Sequence, residues 1–113
     1  MNEIQKPVKL DEFKKDIIEV NESVLVYFST KACNVCKVLR PKIEELLKDE
    51  FPKMIFHYVD CEDEMEIAAQ YSVFAVPSIL VFFDGRESIR KSRNIGMNQL
   101  AQEIERIYNM IYG

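Results

Sequence analysis

At 113 residues with a net charge of −4, the chain is predicted to form one domain, 1–113, with a hydrophobic core, and it lacks the basic block typical of nucleic-acid-binding proteins. Its longest apolar stretch, 73–83, contains Pro77 and Ser78 and falls short of the about 20 residues of a membrane helix. The first six residues lack the apolar centre of a secretory signal, so we expect a cytoplasmic protein. From the charge and the short apolar stretch we expect it to bind neither nucleic acid nor membranes.

Apolar residues in the first half of the chain recur at helical and strand periods in alternation. The spacing predicts a helix over 10–20 and then a strand over 24–28, which is apolar throughout, as is typical of a strand covered on both faces. A long helix over 33–50 follows, and Pro41 predicts a kink in it rather than a break. The predicted buried stripes are Leu10, Phe13, Ile17 and Val20 in the first helix and Val38, Leu39, Ile43, Leu46 and Leu47 in the second.

The second half of the chain continues this alternation. A strand over 54–59 precedes a short helix over 62–71. A third core strand, 79–83, runs into Asp84-Gly85, a strong hairpin signal, so 86–93 is predicted to return as an antiparallel edge strand. The side chains expected to turn inward in the short helix are Met65, Ile67, Ala68 and Ala69.

The order of these elements, which ends with a helix over 98–112, predicts an α/β fold. Parallel strands joined by helices and followed by an antiparallel pair form a mixed central β-sheet flanked by helices on both faces. Functional groups of such folds gather at the carboxyl ends of the strands, and both Cys33 and Cys61 follow a predicted strand end. The apolar stripe of the last helix is Leu100, Ile104, Ile107 and Ile111.

The strongest chemical motif is Cys33-Asn34-Val35-Cys36, because two thiols at this spacing can close a disulfide or supply half of a metal site. The motif lies at the start of a predicted helix that follows a core strand, which is the form of a redox site. Free N–H groups and the positive end of the helix dipole favour a thiolate on Cys33 there. Lys31 and Lys37 either add to this effect or are ordinary surface lysines. The spacing alone leaves the redox and metal interpretations open.

Cys61, one of three cysteines, is left alone if Cys33 and Cys36 pair. Together with His57 the three thiols make a formal Cys₃His zinc set, but their spacing fits no compact zinc module, so we expect no metal. We expect His57 to be an ordinary strand histidine. We expect Cys61 to be a lone thiol near the rim of the site, in a monomer that can form a Cys61-linked dimer on oxidation.

Several separated features occur in a consistent order around this motif. A core strand ends before Cys33, Lys37 directly follows the second cysteine, and Pro41 lies five residues after it. The later features are Val59-Asp60, Tyr71-Ser72-Val73, Val76-Pro77, the strand 79–83, Asp84-Gly85 and Gly96. With this joint spacing the chain resembles the thioredoxin family over about 10–111. The resemblance implies a thioredoxin fold and a protein without a cofactor.

The resemblance also implies a role for each matching residue. Cys33 and Cys36 are the catalytic pair and the redox disulfide, with Cys33 attacking first. Pro77 is a cis-proline that lies against the cysteines and shields them from metal, while the backbone of Val76 pairs with the substrate. The remaining implied site residues are Ala32 and Gly96 for substrate binding and Lys37 and Pro41 in support of the cysteines.

The chain departs from the family pattern around the cysteines. Ala32 replaces the usual Trp, so a flat docking surface is missing and partner choice should differ. Asn34-Val35 replaces the typical Gly-Pro, which leaves the reduction potential open. Tyr27 and Phe56 stand where the family has a buried carboxylate and a lysine. A phenol with a reference pKa of about 10 is a poor base at neutral pH, so either water takes the proton of the second cysteine or that step is slower.

The resulting functional hypothesis is a thiol–disulfide oxidoreductase, a protein-disulfide reductase acting in cell redox homeostasis and electron transport. Its expected partners are protein disulfide substrates and a thioredoxin-reductase-like flavin electron donor. The alternative is a thioredoxin-fold binding or adaptor module whose thiols act as a redox switch for one partner. Within the enzyme class, an oxidant or isomerase is a third possibility that the reduction potential decides.

Overall fold

Four strands form one mixed sheet in the order β2-β1-β3-β4 in the computed structural model, which describes residues 7–113. The strands are β1 Ser23–Ser29, β2 Ile55–Asp60, β3 Ser78–Phe83 and β4 Arg86–Ser92. β1 pairs with β2 in parallel, whereas β1–β3 and β3–β4 are antiparallel, and β4 lies on the edge as predicted. The first six residues, for which the sequence predicts no secretory signal, lie outside the described residues.

The helices connect these strands in the predicted order. They are α1 Leu10–Glu12, which continues as a π-helical segment Phe13–Glu19, and then α2 Asn34–Glu50, α3 Met65–Gln70 and α4 Met97–Tyr112. As predicted, α2 runs through Pro41 as one helix. No helix in residues 7–113 combines the length and the apolar character needed to cross a membrane.

Helix α3 is shorter than the predicted 62–71. The side chain of Asp60 accepts hydrogen bonds from the backbone N–H groups of Glu62 and Asp63, at 2.8 and 3.3 Å. An aspartate that bonds the backbone ahead of it in this way holds a turn, so the helix starts only at Met65.

Side chains of β1 alternate between two hydrophobic cores, one on each face of the sheet. Leu25 and Tyr27 belong to the first core, which buries the inner faces of α2 and α4. Val24, Val26 and Phe28 belong to the second core, which buries residues of the π-helical segment and of α3. Every residue of β1 is therefore buried, and the predicted sheet with helices on both faces is confirmed.

The predicted stripe of the first helix is wrong at its C-terminal end. Phe13 and Ile18 are buried in the second core, whereas Val20 is 68% exposed and Ile17 is only partly buried. The reason is the π-helical hydrogen bonding of this segment, which runs from residue i to i+5 and brings residues five apart onto one face. A stripe read at the 3.6-residue period of an α-helix therefore drifts off the buried face.

Four other side chains expected to face inward are on the surface. Val38 in α2 lines a groove against the loop before α4 instead of packing on the sheet. In α4 the buried residues follow four-residue steps that end at Tyr108, so Ile111 lies outside the stripe. The late start of α3 leaves Met65 and Ala69 exposed, while Ile67 and Ala68 are buried as expected.

Candidate active site

Cys33 is the N-cap of α2, directly after the loop that leaves the carboxyl end of β1. Its backbone is extended, with φ −81° and ψ 102°, and its N–H donates to the carbonyl oxygen of Thr30 at 3.2 Å. Its Sγ accepts a hydrogen bond from the backbone N–H of Cys36 at 3.2 Å. A sulfur that caps a helix receives both this N–H and the positive end of the helix dipole, and both stabilise a thiolate.

A disulfide bond joins Cys33 to Cys36, whose Cα atoms are 5.3 Å apart. The two sulfurs differ in access, because Cys33 is partly exposed whereas Cys36 is 1% exposed within the first core. An incoming thiol or disulfide therefore meets Cys33, and Cys36 is within reach of its partner in the motif. This geometry is that of a redox pair with one outer and one inner sulfur.

Tyr27 lies behind the disulfide. Its hydroxyl donates to the backbone carbonyl oxygen of Cys36 at 2.8 Å, and burial raises the pKa of Tyr27 to about 12. The Tyr27 ring stacks on Phe56 at 6.1 Å between centroids and 30° between planes. The positions at which the resemblance expected a carboxylate and a lysine therefore carry an aromatic pair, and the phenol stays protonated at neutral pH.

Positive charge borders the inner cysteine. A cavity of about 350 Å³ is lined by Cys36 together with Lys31, Lys37 and Arg40. The Arg40 guanidinium lies over the Tyr58 ring, 4.3 Å from its centroid, and 5.5 Å from the centroid of Phe56. Sequence reasoning missed Arg40, although its place one helical turn after Cys36 was a signal.

The two flanking lysines differ in their surroundings. Lys31 pairs with Asp63 at 3.3 Å, and this hydrogen bond raises the pKa of Lys31. Its charge is thereby offset by a carboxylate. Lys37 has no salt bridge to another residue of the described part of the chain and lines the cavity at Cys36.

The Val76–Pro77 peptide bond is cis, as the resemblance implied. Val76 packs against the same first core as Cys33. Within residues 7–113 neither the N–H nor the C=O of Val76 has a backbone hydrogen-bond partner, so both can pair with an added strand. Ala32 is exposed just ahead of Cys33, and Pro41 is exposed inside α2.

Gly96 lies across a groove from the residues between the cysteines. This groove, of about 790 Å³, runs between the start of α2 and the loop that joins β4 to α4. Its lining on α2 is Asn34, Val35, Val38, Leu39 and Lys42, and its lining on the loop is Arg93, Asn94, Ile95 and Gly96. The structure thus places Gly96 beside the motif.

Phe74 is the most exposed of the large hydrophobic side chains in the described residues, at 86%. It stands in the loop between α3 and the cis bond, two residues before Val76. Sequence reasoning did not single it out. The available signal was an aromatic residue three positions before an expected cis-proline, in a segment that belongs to no predicted helix or strand.

His57 and Cys61 lie on the other face of the sheet from Cys36. His57 contacts Phe13 at 5.5 Å between ring centroids, and burial lowers the pKa of His57 to about 4. Cys61 packs against the second core, and burial, followed by the charge of Asp60, raises the pKa of its thiol to about 11. The formal Cys₃His set is therefore split across the sheet, and residues 7–113 contain no cluster of metal-ligating side chains.

Comparisons with known proteins agree with this geometry. The family model described as Thioredoxin matches residues 5–106. The thioredoxin-like protein YdfQ of Bacillus subtilis is 32% identical over 99 residues, which cover 88% of this chain and 88% of that protein. Among solved structures, Fasciola hepatica thioredoxin has a TM-score of 0.76 at 32% identity, over 87% of this chain and 93% of that one. Plasmodium falciparum thioredoxin has a TM-score of 0.76 at 30% identity over the same shares.

Proposed function

Since this chain belongs to the thioredoxin family and is a thiol–disulfide oxidoreductase, we propose that it works as a reductase of protein disulfides, with Cys33 and Cys36 as its catalytic pair. The observation that carries this proposal is the asymmetry of the pair, a partly exposed sulfur at the N-cap of α2 and a second one buried in the first core.

The reaction uses two exchanges. The Cys33 thiolate attacks one sulfur of the substrate disulfide, which forms a mixed disulfide and releases the other substrate sulfur as a thiolate. Cys36 then loses its proton and attacks the Sγ of Cys33, which releases the second substrate thiolate and leaves the Cys33–Cys36 disulfide. Two electrons from a thioredoxin-reductase-like donor restore the dithiol.

Substrate binding is assigned to the residues around the outer sulfur. The N–H and C=O of Val76, which have no backbone hydrogen-bond partner within residues 7–113, support strand-like pairing with the substrate backbone, next to Pro77. Ala32 and Gly96 flank the motif on the chain and across the groove. Because Ala32 offers no aromatic surface, recognition depends more on the groove than it would with a Trp there.

Two residues of α2 support the cysteines in this proposal. Lys37 adds positive charge beside Cys36. Pro41 has no N–H to donate, so the helix continues past it without one hydrogen bond of its ladder.

We further propose that one domain spans 1–113 and acts as a cytoplasmic monomer.

The first experiment measures the reduction potential of the Cys33–Cys36 pair in a Cys61→Ser background, by mass-tagging free thiols across dithiol buffers. A potential near the about −270 mV of thioredoxin supports a reductase, whereas one near the about −120 mV of a strong oxidant contradicts that direction and favours oxidation or isomerisation.

Trapping experiments test the order of attack. We expect Cys33→Ser to abolish disulfide reduction and Cys36→Ser to accumulate mixed disulfides on Cys33. Traps that form on Cys61 instead would contradict the assignment.

The adaptor alternative draws support from Ala32 and from the Tyr27–Phe56 pair, and it predicts one tightly bound partner with little turnover of a generic disulfide.

A further inference from the structure

The groove beside the disulfide has apolar walls that extend from the motif itself. Val35, between the two cysteines, and Val38, one turn further, are 62% and 61% exposed, and both line the groove. Leu39 and Ile95 complete its apolar lining. Exposed aliphatic side chains gathered around one concave surface are typical of a binding site rather than of ordinary surface.

Two cations border these apolar walls. Lys42 lies on α2 and Arg93 in the loop before α4, and neither side chain forms a salt bridge to any residue of 7–113. Within residues 7–113 no carboxylate lines the groove. This local positive charge contrasts with the net charge of −4 of the chain, so it is a property of this surface and not of the protein as a whole.

The groove is also tied to the cis bond. The backbone N–H of Arg93 donates to the carbonyl oxygen of Pro77 at 2.8 Å, which joins the loop at the groove to the segment proposed to pair with substrate. The groove also begins at Asn34 and Val35, directly after Cys33, and its lining includes both cations. A polypeptide whose cysteine reaches Cys33 can therefore extend along the groove towards Lys42 and Arg93.

We propose that this groove binds the polypeptide that flanks the disulfide of an oxidised protein substrate, and that it selects segments carrying an acidic side chain beside apolar ones. The inference rests on the proposed reductase function and names the class of substrate for it. The apolar walls take up the aliphatic part of the segment, while Lys42 and Arg93 pair with its carboxylate. Each exposed ion pair contributes little, so the expected selection is several-fold and depends on salt.

The test compares two synthetic disulfide-bonded peptides that differ only in having Glu or Lys on both sides of one cysteine. Prereduced protein is mixed with each peptide, and its oxidation is followed in a single turnover. We expect the Glu peptide to react several-fold faster at low ionic strength, and this ratio to fall towards one at high salt. Wild-type protein that reacts equally with both peptides, or faster with the Lys peptide, overturns the proposal.

A charge-reversed variant provides the second readout. Lys42→Glu/Arg93→Glu is expected to invert the ratio between the two peptides. The control Lys15→Glu/Lys48→Glu carries the same total charge at exposed lysines outside the groove and should keep the wild-type ratio. A control that loses the preference as the groove variant does shows an effect of overall charge and contradicts the proposal.

A neutral small disulfide, hydroxyethyl disulfide, separates the two hypotheses on wild-type protein. If it is reduced while the peptide ratio stays near one, the groove proposal fails and the reductase function stands. If wild-type protein reduces neither it nor the peptides, the proposed function fails and the substrate selection fails with it.

Discussion

The hydroxyl of Tyr27 donates a 2.8 Å hydrogen bond to the backbone carbonyl oxygen of Cys36, so a phenol contacts the backbone of the inner cysteine of the redox pair. With a pKa raised to about 12 by burial, this phenol is a hydrogen-bond donor at neutral pH and not a base. The cavity of about 350 Å³ at Cys36 has room for water, which we expect to take the proton of the inner thiol.

Tyr27→Phe tests this role. We expect the variant to lose about 1 kcal/mol of unfolding free energy together with the hydrogen bond. In a mixed disulfide between Cys33 and an aromatic thiol, the rate at which Cys36 releases that thiol should keep its pH dependence between pH 6 and about 9. Stopped-flow absorbance measures that rate. Tyr108→Phe is the matched control, because Tyr108 accepts a hydrogen bond from Lys53 away from the site. A tenfold slower expulsion in Tyr27→Phe alone would show that the phenol moves the proton.

Phe74 is expected to act as a docking residue for protein substrates. Its ring is 86% exposed near Val76, so burying it against a substrate contributes about 1–2 kcal/mol. We therefore expect Phe74→Ser to raise the KM for the reduction of insulin disulfides by about tenfold. Met110→Ser removes another exposed apolar side chain, on α4 and outside the groove. Equal changes in the two variants would argue against docking at Phe74.

Cys61 is expected to be a slow thiol. Its pKa of about 11 leaves only a small thiolate fraction at pH 8, so iodoacetamide should alkylate Cys61 more than about tenfold slower in folded than in urea-unfolded Cys33→Ser/Cys36→Ser protein. Mass spectrometry gives both rates. The Cys61-linked dimer on oxidation stays a prediction, and the same thiolate fraction predicts slow formation. Equal rates in both states would contradict the burial of this thiol.

His57 should make stability depend on pH. Its pKa falls from 6.5 in the unfolded chain to about 4 in the folded protein. Between these two pH values the unfolded state therefore binds a proton on His57 that the folded state does not bind. The contribution is fully present above pH 6.5 and is lost as pH falls towards 4, on the order of 3 kcal/mol in total. Urea unfolding at pH 7.5 and 4.5 measures it. The pH dependence should be smaller in His57→Phe, and an identical slope in both proteins would contradict this origin.

The π-helical register gives a direct test of the fold. Ile18 is 4% exposed in the second core, so Ile18→Ala should cost about 2–4 kcal/mol of unfolding free energy. Val20→Ala, at a position 68% exposed, should change it by less than about 0.5 kcal/mol. The α-helical stripe predicted from the sequence gives the reverse order, so denaturation of the two variants decides between the registers.

Local chemistry was sufficient for much of this protein. The Cys33–Cys36 spacing, the helical start after a core strand, and the hairpin at Asp84-Gly85 each depend on neighbouring residues, and all appear in the structure. The element order and most boundaries followed from apolar periodicity for the same reason. The cis bond at Pro77 was implied by the family resemblance rather than by any local pattern.

Only the tertiary structure decided which apolar side chains are buried and which remain for binding. Val38 fits a helical stripe, yet it faces a loop about fifty residues away along the chain and lines the groove with Arg93. Arg40 of α2 lies at the inner cysteine because Tyr58 and Phe56 of β2 supply the surface beneath it. Periodicity records which side chains avoid water, but burial and charge pairing depend on what packs opposite, and distant segments of the chain supply that.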